Sequence, residues 1–116
     1  MSGKIRIMVQ DKAYHDYILM DVFSGIAGIH SRAMFGGYGF YINGKIFAII
    51  ADGKLYFKVG DDIKKDFEDR GSHPFRYQSN GKMIEMSYWE IPEEILDNKD
   101  ILLEWIERSS LVEKKK

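Results

Sequence analysis

The sequence contains no cysteine, which removes disulfide staples, thiolate nucleophiles and cysteine-ligated zinc or iron–sulfur centres in one step. Long apolar runs are missing too. No stretch approaches the roughly 20 residues that a membrane helix needs. The start, Met1-Ser2-Gly3-Lys4-Ile5-Arg6-Ile7, lacks the apolar segment of a secretory leader, so the cytoplasm is the expected compartment. An excess of charge is also absent. A formal net charge of -1 argues against the broad basic field that drives non-specific nucleic-acid binding, although a local patch can exist on a neutral chain.

What remains is a composition suited to one packed domain. Hydrophobic residues make up 45% and aromatics 14% of 116 residues, with 30% charged residues to keep the outside hydrated. A single domain over residues 1–116 is expected, with residues 1–10 and 112–116 less ordered.

From Asp11 to Ile26 the apolar residues Ile18, Leu19, Val22, Phe23 and Ile26 recur at helical spacing, and Gly25 and Gly28 stop the pattern. Ser31 and Arg32 read as polar approach residues to a first strand. Asn43-Gly44 and Asp52-Gly53 then mark tight hairpin turns, because both positions of such turns need positive φ. They predict a three-strand meander over about Met34–Ile42, Lys45–Ala51 and Lys54–Val59. Its central strand, Ile46-Phe47-Ala48-Ile49-Ile50, is apolar on both faces and should be covered on both, by other elements or by a partner. A short helix opening at Asp61-Asp62 and ending at Gly71, a hairpin around Asn80-Gly81, a helical turn at Pro92-Glu93-Glu94 and a final helix capped by Asn98 complete the order. The last helix should bury Ile101, Leu102, Trp105 and Ile106.

The chemistry-bearing residues are sparse. His15, His30 and His73 show no metal-ligand spacing, the acids from Asp61 to Asp69 do not follow a calcium-loop pattern, and Ser24 sits in no nucleophile elbow. No catalytic, cofactor or metal residues are assigned, and no enzymatic activity is expected. Gly36-Gly37-Tyr38-Gly39 lacks the spacing of a phosphate loop and leads into a strand; it reads as a bulge, a bend or a close backbone approach. Lys54 and Lys58 alternate with aromatics, and Arg32, Arg76 and Lys82 could add charge nearby if the hairpins assemble side by side; Lys54, Lys58 and Lys82 are the candidate nucleic-acid contacts. A solvated strand face with edge-protecting lysines is the plainer reading.

Arg32-x-Met34-Phe35-Gly36-Gly37-x-Gly39-x-Tyr41, Gly44-x-x-Phe47-Ala48, Leu55-Tyr56-x-Lys58, Gly71-x-x-Pro74-Phe75-x-Tyr77, Met86-Ser87-Tyr88, Pro92-Glu93 and Trp105 resemble the TfoX N-terminal domain, in order along nearly the whole chain. The resemblance implies a two-layer α+β fold with an antiparallel sheet, similar in topology to secretion chaperones, and a tendency to form homodimers. It also implies a link to the control of natural competence, in which full-length TfoX and Sxy proteins act with the cyclic-AMP receptor protein at promoters. Those proteins carry a further C-terminal domain resembling a helix-hairpin-helix module, which this sequence does not include, so promoter contact is expected in part from that domain.

The leading expectation is a non-enzymatic regulatory or protein-interaction domain, a homodimer with a transcription regulator as a possible partner. Arg32, Met34, Phe35, Gly36, Gly37, Tyr38, Gly39 and Tyr41 form its candidate interaction surface. Two alternatives stay open: a small-ligand or enzyme pocket around Arg32, Tyr38, Tyr41 and Arg76, and weak DNA binding through Lys54, Lys58 and Lys82.

Overall fold

The computed structural model describes residues 12–34 and 36–112; the expectations for Phe35, for the first residues and for 113–116 lie outside the described residues. Six antiparallel strands form one sheet in the order β1-β2-β3-β4-β6-β5. They are β1 Ile29–Met34, β2 Gly37–Ile42, β3 Lys45–Ala51, β4 Lys54–Lys58, β5 Pro74–Ser79 and β6 Lys82–Glu90. Helix α1 covers residues 12–17 and continues as a π turn, Ile18–Val22. α2 (Lys64–Asp69), α3 (Glu93–Leu96) and α4 (Lys99–Ser110) follow. This is the α+β architecture with an antiparallel sheet that the resemblance implies.

The three Asx-Gly turns form as the chemistry requires. Asn43, Asp52 and Asn80 have φ of 51°, 53° and 53°, and the following glycines are positive as well. The meander nevertheless has four strands. Residues read as an approach, Ser31 and Arg32, lie inside β1, which pairs in unbroken register from Ile29↔Ile42 to Met34↔Gly37. Met34 therefore ends β1 instead of opening β2, and Gly36, at φ 78°, turns the chain between them. The first helix also stops earlier than its apolar spacing suggests, with the Phe23 amide donating back to the Ile18 carbonyl and the Ser24 amide to that of Asp21.

The helices pack on one face. Phe40, Phe47, Phe57, Phe67, Ile95, Leu102, Trp105 and Ile106 are buried there. Phe23 meets Phe40 edge-on at 5.3 Å, Phe47 meets Phe57 at 5.6 Å, and Phe67 meets Trp105 at 4.6 Å. Between Phe40↔Ala48 and Tyr41↔Ile46 the register slips, leaving Phe47 as an extra residue of β3. A bulge of this kind turns two successive side chains, Phe47 and Ala48, toward the helices. The continuous apolar run of β3 is thereby explained: Phe47, Ala48 and Ile50 enter the core, while Ile46 and Ile49 face the other way and are half-buried.

Helix ends follow the sequence in part. The Asn98 side chain accepts from the Ile101 amide at 3.3 Å and caps α4 as expected. The Lys99 ammonium donates to the Val22 and Ser24 carbonyls at 3.2 and 2.7 Å, fastening α4 to the carbonyl end of α1. By contrast, α2 starts from Ile63, whose side chain cannot cap it, two residues beyond the expected opening at Asp61, and Pro92 occupies the capping position of α3 with an extended ψ of 139° instead of its first helical position. Val112 packs against the core.

Candidate interaction face

The opposite face of the sheet is covered by no helix among the described residues. Strand alternation and the observed registers define its rows: His30–Tyr41–Ile46, Arg32–Gly39–Ile49–Tyr56–Glu90, Ala51–Lys54, Lys58–Tyr88, Tyr77–Ile84 and Ser79–Lys82. Phe75 sits at a register shift in β5 and meets Tyr56 edge-on at 5.1 Å, which adds its ring to the same face.

The glycines of the opening motif now have separate jobs. A Cβ on Gly37 would lie 2.0 Å from the Ile50 carbonyl oxygen, so this glycine lets β2 close against the backbone of β3. A Cβ on Gly39 would lie 2.7 Å from the Met34 methyl and 3.3 Å from Ile46, so Gly39 is where the Met34 side chain lies across the sheet. The result is a groove of about 570 Å³ whose walls include Met34, Ile46, Ile49, Phe75, Met86 and Tyr88. Burial raises the pKa of the Tyr88 phenol above its ordinary value, and the neighbouring Tyr41 adds to the shift.

Charge is distributed unevenly between the two faces. Lys12, Lys65, Arg70 and Arg108, on the helical layer, each meet a carboxylate, and Arg76 meets Glu85 on the reverse side of the β5–β6 hairpin. Arg32, Lys54, Lys58 and Lys82 all project to the open face and have no carboxylate within 4.0 Å among the described residues. Glu90 ends one row and Asp52 lies in the adjoining turn. A chain that is nearly neutral overall thus carries a locally basic face.

The candidate residues divide accordingly. Arg32, Met34, Gly37, Gly39 and Tyr41 lie together on the open face, and Lys54, Lys58 and Lys82 join them there. Tyr38 does not. Its ring stacks on His15 at 4.2 Å in the helical layer, and Arg76 points to the reverse of its hairpin, so the pocket of Arg32, Tyr38, Tyr41 and Arg76 does not assemble. Tyr38 and Tyr41 lie three residues apart on β2, so simple strand alternation puts them on opposite sides.

A hydrogen-bonded chain escaped the sequence reading. His15 Nε2 lies 2.7 Å from Ser31 Oγ, and His15 Nδ1 lies 2.9 Å from Asp16 Oδ1. The imidazole is held between Tyr38 and Phe40, so these contacts pin α1 to β1 as part of the packing. The hydrogen bond from His15 and then that from Lys12 hold the Asp16 carboxyl below its ordinary value. Sixteen residues separate His15 from Ser31, and no local spacing signals their contact.

A second depression of about 460 Å³ lies beside α1, where Tyr14, Lys54, Arg70, Ser72, His73 and Glu93 mix charges of both signs. Among the described residues no helix is long and apolar enough to cross a membrane.

Comparison with known proteins agrees with the fold and the motif. The DNA transformation protein TfoX1 of Aliivibrio fischeri is 28% identical over 64 residues, which are 55% of this chain and 31% of that protein. The chain therefore spans about a third of that relative's length. The TfoX N-terminal domain matches over residues 21–112, from the end of α1 to the end of α4, and the chain belongs to that family.

Proposed function

We propose that this domain serves the control of DNA transformation as a docking module that pairs with a second copy and presents its surfaces to a transcription regulator, without chemistry of its own. Family membership and the name of the similar protein support the regulatory setting. The observation that favours pairing is the condition of the β1 edge. β1 offers six consecutive residues in regular register, without proline or bulge, whereas the other edge strand opens with Pro74 and is broken by a register shift. Natural sheets blunt their edges with such devices, and an edge left regular is a template for another strand. Two copies meeting at β1 would form a continuous antiparallel sheet around a two-fold axis.

Sedimentation across micromolar concentrations tests this reading. The expected result is a dimer, weakened about tenfold or more by Ala33→Lys, which places a protective cation on the exposed edge. A chain that stays monomeric on concentration would remove self-pairing.

A further inference from the structure

Cations, rings and apolar floor on the open face are the ingredients of a surface that binds flexible polyanions with flat bases. Such surfaces combine basic side chains that track phosphates with aromatic side chains on which bases stack. Here Arg32, Lys54, Lys58 and Lys82 supply charge that meets no carboxylate among the described residues. Tyr77, 43% exposed, stacks beside Phe75 at 6.3 Å, and His30 lies nearly parallel to Tyr41 at 5.4 Å. Rings therefore stand toward both sides of the open face, with Lys58 and Tyr88 in one row between them. The geometry points to this face as a binding site for single-stranded nucleic acid, with phosphates on the four cations and bases on Tyr77, Phe75 and Tyr41.

Duplex fits the arrangement less well. Its bases are already stacked inside the helix, so the exposed rings would find no faces to cover, and only the charges would act. An acidic protein segment would use the same charges but would leave the rings without planar partners. The site goes beyond the docking proposed above and coexists with it, because strand pairing at β1 lies in the plane of the sheet and leaves the face open. It would also bring Arg32 of both copies onto one continuous surface.

The experiment is fluorescence anisotropy of the whole chain with a labelled mixed-sequence single strand, repeated with the same sequence as duplex and with polyglutamate as competitor. Four phosphate contacts predict a slope of log affinity against log salt near about -3, or about a fifty-fold loss between roughly 50 and 200 mM salt. Lys54→Ala with Lys58→Ala should lower that slope by about 1.4. Tyr77→Ala should leave the slope unchanged while weakening binding about tenfold or more. Because Lys54 and Tyr77 are exposed, circular dichroism should report intact folding for both variants. Ala33→Lys should still bind, which separates failure of the site from failure of pairing. The inference is overturned if the single strand does not bind at low salt, if duplex binds as tightly, or if polyglutamate displaces the strand with equal potency and Tyr77→Ala has no effect.

Discussion

The two faces of this sheet come from the same six strands, yet one is finished and the other is not. On the helical face, Phe47, Phe57, Trp89 and Ile50 are buried beneath α1, α2 and α4, and the nearby cations are largely satisfied by carboxylates or carbonyls. On the open face, Ile46 and Ile49 are half-buried, Tyr77 and the cations reach solvent, and a groove stands where a second layer would lie. Packing decides the first face; charge and shape decide what the second can do. An apolar patch that a monomer leaves uncovered has a use more often than it is an accident, and cations that meet no carboxylate among the described residues suit the anionic partner proposed above.

The sharpest way to break the contrast is to truncate one residue on each side of β3. Phe47→Ala should cost about 3–5 kcal/mol, because it leaves a ring-sized cavity among Phe23, Phe57 and their neighbours. Ile49→Ala, on the open face, should cost about 1 kcal/mol. Denaturant unfolding of the dilute protein measures both. Equal losses would mean that the open face is covered in solution, and a loss at Ile49 that grows with protein concentration would identify the cover as a second copy.

The glycines sharpen the comparison on a smaller scale. Gly37→Ala forces a methyl against the Ile50 carbonyl, where only backbone movement can give relief, and should cost about 1–3 kcal/mol. Gly39→Ala meets the far end of the flexible Met34 side chain, so its cost should stay below about 1 kcal/mol while Met34 is displaced from the groove floor. Unfolding midpoints rank the two, and a change in the Met34 methyl resonance should accompany the second. If Gly39→Ala proved the more damaging, the Met34 contact would be a fixed part of the fold instead of an adjustable floor.

Local chemistry made the hairpins, the cap at Asn98 and the stripe of α4 readable, since each depends on a few neighbouring residues. The missed strand β1 shows the limit of that reading. Its sequence, Ile-His-Ser-Arg-Ala-Met, has neither alternation nor a continuous apolar run, because an edge strand with one solvated side and a weakly packed reverse places little demand on its residues. The bulge at Phe47 is equally hidden, although its consequence, an apolar run without alternation, was visible. For the open face, Lys54 and Lys58 announced themselves by spacing, but their association with Lys82 and Arg32 depends on which strands become neighbours. Only the insertion of β6 beside β4 settles that.

The smallest expected effect is a pH dependence that also separates the faces. Tyr88 on the open side and Tyr14 on the helical side both have raised pKa values, in each case mainly through burial. For a phenol, burial favours the neutral form in the folded chain, while the unfolded chain ionises near pH 10.0. The stability that these groups contribute is therefore fully present below about pH 10 and is lost as pH climbs through their higher folded values. Tyr88→Phe should flatten part of that alkaline loss, and phenolate absorbance followed through the titration should show one late-ionising group fewer. Adding the single strand at low salt should delay ionisation of Tyr88 further by covering it and bringing phosphates near, yet should leave Tyr14 unchanged. An equal delay at both tyrosines would show that the added strand stabilises the whole fold without occupying the open face.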